Sequence, residues 1–207
     1  MTRTAYYEEL KALARRVREE HGLTTAKVTL TDMRRIYRSY DLKVKLWHQP
    51  MKKVRGAFIK DELGAEVMVN AKLPPEQRIF TMAHELKHFL VDEVPANWVE
   101  ESESDHIEIG AEIFAAELIY PESMFAADVA SAGVTAANFS AESIVRLKRV
   151  TGTTLSFTAL GKRAEFLGLA AKSSFAKVQW KKLEEQIFGE PDYKRIQRYR
   201  AAKALRS

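Results

Sequence analysis

The stretch TMAHELKHFL, residues 81–90, carries the pattern His-Glu-x-x-His at His84, Glu85 and His88. Two prolines at positions 74 and 75 precede it, and the segment from there to about Val91 is predicted to form one helix. Histidines four residues apart lie on the same face of a helix, so both imidazoles can bind a single Zn²⁺. The glutamate beside the first histidine can then act on an activated water. The sequence therefore predicts a zinc site with Glu85 as its catalytic base.

A pair of structural histidines is the alternative interpretation of this pattern, and the helical wheel disfavours it. At about 100° per residue, His84 and His88 lie about 40° apart, on one side of the helix. The apolar residues of the same helix lie on the other side, and they are Ile79, Met82, Ala83, Leu86, Phe89 and Leu90. The histidine pair is therefore predicted to lie off the core-facing stripe, beside a cleft.

The third protein ligand of a catalytic zinc must here be His, Asp or Glu, because the chain has no cysteine. Val91 and Val94 occupy positions at which a metzincin needs Gly and His, which excludes that class. A gluzincin instead takes a glutamate from a following helix. The helix predicted over about 104–120 offers four acids, which are Asp105, Glu108, Glu112 and Glu117. Small residues at Gly110, Ala111 and Ala115 are predicted to let this helix approach the first one closely.

The position of each acid on the second helix ranks the four candidates. Glu108 lies at the boundary of the apolar stripe, about 90° from its centre, whereas Glu117 lies nearly opposite Glu108. Glu108 is therefore the predicted third ligand. Glu112, one turn further along, is either the alternative ligand or a carboxylate that orients a ligand histidine. His106 is a weaker candidate, as a ligand or as a hydrogen-bond donor to the reacting carbonyl in the transition state.

The flanking sequence predicts an α+β fold. Helices are expected over about 4–20 and 31–40, and they are followed by strand-like runs at 42–48, 54–60 and 65–70. The turn residues between these runs predict a small antiparallel three-stranded sheet. After the two metal-site helices, the sequence predicts shorter helices over 121–131, 139–151 and 154–167, and two more in the tail. The sheet is thus expected to pack on a mainly helical domain with a C-terminal helical extension.

The composition excludes several classes of protein. Of the 207 residues, 46% are hydrophobic and 29% are charged, and this balance argues against disorder over the whole chain. The absence of cysteine excludes disulfides, thiolate metal sites and cysteine nucleophiles. The charged N-terminal segment differs from a secretory signal, and no run of about 18 apolar residues exists. We therefore expect a cytoplasmic protein without membrane contact.

Charge is distributed unevenly around a net value of +5. Residues 171–207 contain ten Lys or Arg and four acids, so the tail carries more than the whole net charge. Between Lys87 and Arg146 there is no Lys or Arg, and there are twelve acids. Such an acidic block favours a bound cation or a basic partner. The basic tail indicates at most a weak contact with nucleic acid, because solvated amphipathic helices are the commoner explanation of this spacing.

Three segments together resemble the ImmA/IrrE family of zinc metallopeptidases, which are gluzincin-like. They are VRGAFIKDELGAEVMVN (54–70), EQRIFTMAHEL (76–86) and FAAELIYP (114–121), and the last is similar to the segment that follows the family's third ligand. Two departures stand out. Lys87 occupies a position where the family often has Gly, and Gly110 and Glu112 occupy positions where it often has an acid and an Asn.

The resemblance covers about residues 5–169, and 144–169 resemble the helix-turn-helix-like piece that often ends the domain. It implies a zincin-like metallopeptidase domain over 1–169, followed by a basic helical tail over 170–207 that inherits nothing from the family. It also implies a cytoplasmic zinc endopeptidase, often linked to phages or mobile elements. The typical substrate of this family is a helix-turn-helix transcriptional repressor, whose cleavage switches on the genes that it controls.

The expected mechanism is peptide hydrolysis at Zn²⁺ held by His84, His88 and Glu108. Glu85 takes a proton from the attacking water and passes it to the leaving amine. A substrate strand is predicted to pair with the sheet edge at 65–70, and the acidic block is predicted to attract a basic repressor.

Two other functions are compatible with the same sequence. One is a DNA-binding regulator that uses 144–169 as a helix-turn-helix and holds a non-catalytic metal. Its candidate recognition helix, 154–166, supplies only Lys162 and Arg163 as strong base readers, which disfavours this function. The other is a toxin- or antitoxin-type regulatory partner whose metal site is catalytically silent.

Overall fold

The structure, a computed structural model, describes residues 2–49, 54–62, 64–92 and 101–204, with only the backbone described for 101–104, 193 and 200–204. The regular elements in these ranges are helices and three strands, which confirms the predicted α+β class. In chain order they are α1 (Arg3–Glu20), α2 (Leu30–Ser39), β1 (Lys43–Trp47), β2 (Gly56–Asp61), β3 (Gly64–Asn70), α3 (Pro75–Val91), α4 (Glu101–Ile119), α5 (Glu122–Ser131), α6 (Ala141–Thr151), α7 (Phe157–Phe166), α8 (Trp180–Phe188) and α9 (Asp192–Ala204). Within the described ranges, none of the helices has the length and apolar character that crossing a membrane requires.

The helix boundaries follow local capping chemistry. Thr29 caps α2, and the side chain of Asp32 completes a reciprocal capping box with it, whereas the sequence pattern had suggested a start at 31. Ser140 and Ser143 form the same arrangement at the start of α6. That helix ends at Gly152, whose φ of 64° lies in the left-handed region that glycine adopts most readily.

The sheet has the strand order β1-β3-β2, with β3 at its centre. β2 pairs with β3 in antiparallel fashion, but β1 pairs with β3 in parallel, so the prediction of a fully antiparallel sheet was wrong. Alternation along a strand determines which side chains face the core, but it carries no information about strand order. β3 contributes the fully buried Val67 and Val69, whereas β1 is mostly exposed, and burial therefore places β3 between the other two.

This strand order also corrects the prediction of a substrate-binding edge at 65–70. Those residues belong to the central strand, and both of its sides are already paired. The edges of the three-stranded sheet are β1 and β2.

The helix α3 lies in the middle of the molecule and packs against α2, α4, β2 and β3. Ala83 and Leu86 of α3 are fully buried, as are Phe114 and Leu118 of α4. Burial of each large apolar side chain stabilises the fold by about 1.5–3 kcal/mol, so this contact holds the two helices side by side. The buried hydroxyl of Tyr37 in α2 donates to the carbonyl of Met82 at 2.7 Å and fixes α3 from its other side.

Buried charges hold the C-terminal end of α4. The guanidinium of Arg18 donates to the carbonyls of Leu118 and Ile119, at 2.7 and 3.1 Å, and so satisfies helix-end acceptors that α4 itself cannot pair. Glu117, with its side chain only 1% exposed, is ion-paired with Arg15 at 2.9 Å and with Arg163 at 3.2 Å. The glutamate of the segment FAAELIYP is therefore a structural residue that ties α4 to α1 and α7.

The first part of the basic tail packs on the helices before it. Trp180 stacks on Phe157 at the start of α7, with ring centres 5.4 Å apart, and Phe175 lies against Gly161 in the middle of α7. In α9, by contrast, Ile196 and Tyr199 are 47% and 72% exposed. Phe175 and Trp180 thus pack on α7, while Ile196 and Tyr199 of α9 are open to solvent.

Candidate metal centre

Three side chains from α3 and α4 converge at one point. The Nε2 atom of His84 lies 3.1 Å from a carboxylate oxygen of Glu108 and 3.2 Å from Nε2 of His88. Nε2 of His88 lies 3.5 Å from the other carboxylate oxygen of Glu108. Ligand atoms at a tetrahedral ion with bonds of about 2.1 Å are separated by about 3.4 Å, so the donor set and its spacing fit a divalent metal.

Burial leaves this group open on one side. The side chain of His88 is 8% exposed and that of His84 is 18% exposed, whereas that of Glu108 is 47% exposed. The histidines therefore lie off the apolar stripe, as the wheel predicted, but they face α4 rather than open solvent. The hydrogen bond with His84 lowers the pKa of Glu108, and the nearby histidines add to this, so the carboxylate is held in the charged form that binds cations.

Glu85 lies beside the convergent group and is only 7% exposed. Burial raises the pKa of Glu85, while the charges of His84 and His88 oppose this shift. A backbone hydrogen bond from Phe58 in β2 also holds the carboxylate. A buried carboxylate with a raised pKa binds a proton more readily than a solvated one, which suits a group that accepts and returns a proton.

Gly56, at the start of β2, makes the close approach of β2 to Glu85 possible. A Cβ at this position would lie 2.4 Å from Cγ2 of Thr81 and 3.0 Å from Oε1 of Glu85. Any larger residue would therefore displace either the strand or the glutamate. The sequence contained this glycine within the segment 54–70, but its contact with α3 depends on the tertiary fold.

Asp92 supplies a carboxylate next to one histidine of the convergent group. It lies 2.6 Å from Nδ1 of His88, and the other ring nitrogen, Nε2, belongs to the convergent group. Such a contact fixes the tautomer and the orientation of a ligand histidine. Glu112, predicted as a candidate for this role, has its side chain exposed on α4. Asp92 lies four residues after His88, a spacing that places both side chains on one side of a helix turn and could have identified this contact from the sequence.

His106 lies outside the convergent group. Its Nδ1 is 2.8 Å from the hydroxyl of Tyr7, and its ring packs between those of Tyr6 and Tyr7 in α1. This environment ties the imidazole to α1, and His106 is not among the donors that converge within the described residues.

Gly110 also faces α1. A Cβ there would meet Leu10 at 2.8 Å and Tyr6 at 3.1 Å, so this glycine allows α1 to approach α4. The expectation that Gly110 brings α4 close to α3 was therefore wrong.

Residues 40–160, more than half of the chain, match the model of the peptidase M78 family, the IrrE N-terminal-like domain. The chain belongs to this family. The ImmA/IrrE resemblance is thereby confirmed, and the M78 domain supports a metallopeptidase type of function. No curated protein matches the chain.

The M78 match contains all three strands together with α3 and α4, and so it contains every residue of the convergent group. It begins after α2, although α1 and α2 supply Tyr6, Arg18 and Tyr37 to the packing around α3 and α4. The M78 domain of this chain is therefore completed by helices outside the matched range.

Proposed function

We propose that the protein is a zinc-dependent endopeptidase whose ion is held by His84, His88 and Glu108. The observation that carries this proposal is the convergence of two imidazoles and one carboxylate beside the buried carboxylate of Glu85. A donor set of two histidines and one glutamate is typical of catalytic zinc, which keeps one position free. Membership of the M78 family supports peptide bonds as the bond type cleaved.

In this proposal, Glu85 and Asp92 have different roles beside the metal. A bound Zn²⁺ would supply Lewis acid chemistry, which activates water and polarises the scissile carbonyl. Glu85 accepts the proton of the attacking water and later delivers it to the leaving amine. Asp92 keeps the ring of His88 in the orientation that directs Nε2 into the site.

The edge of β2 is the proposed contact for an extended substrate. β2 is an outer strand of the sheet, and it lies next to Glu85 through Gly56 and Phe58. A peptide that pairs with an outer strand is held by backbone hydrogen bonds, so this part of its affinity does not depend on the peptide sequence. The half-exposed side chains of β2, such as Ile59 at 39%, can then contribute to specificity.

A basic helix-turn-helix repressor is the proposed substrate class, as the ImmA/IrrE resemblance implies, with a link to phages or mobile elements. In the fold, fewer acids of the block are left to attract a basic substrate, because several already pair with other groups of the chain. These acids are Asp92, Glu117, Glu122, Asp128 and Glu142. Asp105 and Glu112 remain exposed on α4, the helix of Glu108, whereas Glu93 and Glu100 lie outside the described residues. Steering by α4 predicts that cleavage slows as salt is added, and a rate independent of salt would contradict it.

The DNA-binding alternative is weakened by the burial of Arg163. Only 8% of this residue is exposed, and its guanidinium is bound to Glu117 and to the carbonyl of Tyr120. Of the two residues predicted to read DNA bases, only Lys162 is thus still available on α7. Weak nucleic-acid contact through α9 remains part of the proposal, although Lys194 and Arg195 already pair with acids of the tail.

The experiment that tests the proposed function compares metal content with peptide cleavage in matched variants. The purified protein should contain about one zinc per chain, and His84→Ala and Glu108→Gln should lose it. Glu85→Gln should keep the metal and lower cleavage of a repressor substrate by at least about 10²-fold.

Glu112→Gln is the matched control, because it neutralises an exposed acid of the same helix and should leave both metal and cleavage unchanged. A Glu85→Gln variant that retains full biological activity would favour the regulatory alternatives. Loss of metal in Glu112→Gln but not in Glu108→Gln would contradict the assigned third ligand.

A further inference from the structure

Lys87, between the two halves of the His-Glu-x-x-His pattern, is completely buried. Its exposed fraction is 0%, although lysine is among the residues least often buried. The ammonium lies 2.8 Å from both carboxylate oxygens of Asp92 and 3.2 Å from the carbonyl oxygen of Ile107. An ammonium has three N–H donors, and these contacts give each of them an acceptor. The ring of Tyr6 lies on a further side, with its centre 5.8 Å away.

Both partners of Lys87 adjoin proposed metal ligands. Asp92 binds Nδ1 of His88 at 2.6 Å, and the other nitrogen of that ring belongs to the convergent group. Ile107 directly precedes Glu108 in α4. One ammonium therefore connects the residue that orients a ligand on α3 with the backbone that carries a ligand on α4.

We propose that Lys87 is a positioning residue of the metal centre, which holds His88 through Asp92 and Glu108 through the carbonyl of Ile107. The proposal rests on the proposed metal site. Rotation of Asp92 away from His88 would also separate a buried ammonium from its carboxylate, and an unpaired buried charge is strongly disfavoured. Lys87 therefore restricts the donors to the arrangement that an ion needs, before the ion binds. Lysine stands here at a position where the ImmA/IrrE family often has glycine.

A purely structural ion pair is the alternative role, and the chain offers a matched control for it. Lys11 in α1 is also buried, at 5% exposed, and it is ion-paired with Glu8 and Glu122. Its ammonium lies 4.4 Å from the centre of the Phe166 ring. None of these partners is a proposed ligand or contacts one in the described structure. Lys11→Met thus removes the same kind of interaction at a place where it cannot position a metal.

The test measures metal binding by the full chain. Zn²⁺ and Co²⁺ affinities are determined by competition with a chromophoric chelator, and the visible absorption of the Co²⁺ form at saturation reports the ligand geometry. Lys87→Met should weaken binding by about 10–100-fold, the usual effect of losing a group that orients a ligand, and should alter the Co²⁺ spectrum. Lys87→Gln, which is neutral but keeps an amide donor, should weaken binding less. Lys11→Met should lower the unfolding temperature and leave affinity and spectrum unchanged.

Several results would overturn the proposal. A folded Lys87→Met variant with wild-type affinity and spectrum would do so, as would an equal loss of affinity in Lys11→Met. If Lys87→Met does not fold, wild-type affinity in Lys87→Gln is the deciding result against it. Failure of both Lys87 variants to fold would assign the residue to the stability of the fold. Wild-type protein that binds neither ion would contradict the metal centre itself, a failure distinct from unchanged binding in the Lys87 variants.

Discussion

Replacing Gly56 by alanine is expected to destabilise the protein and to disturb Glu85. The added Cβ would lie 2.4 Å from Cγ2 of Thr81, more than 1 Å inside the usual carbon–carbon contact of about 3.5–4.0 Å. Thr81 is 3% exposed within α3, so its methyl has little room to move. Gly56 does not have a positive φ, and the cost therefore arises from contacts rather than from backbone strain.

The magnitude follows from these contacts. Overpacking of a dense core costs about 1–3 kcal/mol, and an overlap this large with a buried helix belongs at the upper end. Replacing glycine also lowers the conformational entropy of the unfolded chain, which increases the free energy of unfolding by about 0.4–1 kcal/mol. The net change of about 2 kcal/mol corresponds to a fall of about 4–8 °C in the unfolding temperature of a chain of this size. Because the Cβ would also lie 3.0 Å from Oε1 of Glu85, cleavage should fall by up to about 10²-fold.

Thermal unfolding followed by circular dichroism, in the presence of a chelator, measures the stability change without a contribution from metal. Thr81→Ser removes the methyl that the new Cβ would strike, so the two substitutions should couple favourably by at least about 1 kcal/mol in a double-mutant cycle. Gly161→Ala in α7 is the control. Its Cβ would meet the ring of Phe175 at 3.2 Å, and the higher helix propensity of alanine should offset the cost of that contact. Unchanged stability of Gly56→Ala, or the same loss in the Thr81→Ser background, would refute the reasoning.

Three further predictions concern stability. Glu117→Gln leaves Arg163 buried without its carboxylate and should cost about 3–5 kcal/mol by chemical denaturation, with metal affinity retained; a cost below about 1 kcal/mol would contradict the structural role of this acid. Gly152→Ala places a side chain at a φ of 64° and should cost about 1 kcal/mol, seen as a lower denaturation midpoint with an unchanged slope. Saturating zinc at about 1,000 times its dissociation constant should stabilise the wild-type protein by about 4 kcal/mol, and a shift that persists in His84→Ala would place the ion elsewhere.

Local periodicity was enough to locate the elements that form the site. The spacing of apolar residues predicted α3 almost to the residue, and α4 to within three residues at its start. The wheel on α4 placed Glu108 at the boundary of the apolar stripe and Glu117 nearly opposite it, and the structure puts Glu108 3.1 Å from His84. These inferences succeed because a helix converts sequence spacing directly into direction. The burial of Lys87 was not predicted, because lysine's usual exposure gave no reason to expect a buried ammonium.

The sequence by itself determined the helix with two histidines and a glutamate and the helical and strand segments of the α+β class, since these depend on residues within a few turns of one another. That Glu108 rather than Glu112 lies opposite the histidines was decided by the packing of α4 on α3. The tertiary structure alone decided that β3 lies between β1 and β2, that Arg163 turns inward to Glu117, and that the buried Lys87 pairs with Asp92 and with the carbonyl of Ile107 in α4. Strand order and the pairing of buried charges are set by contacts between residues distant in the chain. Their energies depend on which groups lose water together, and no local pattern records that.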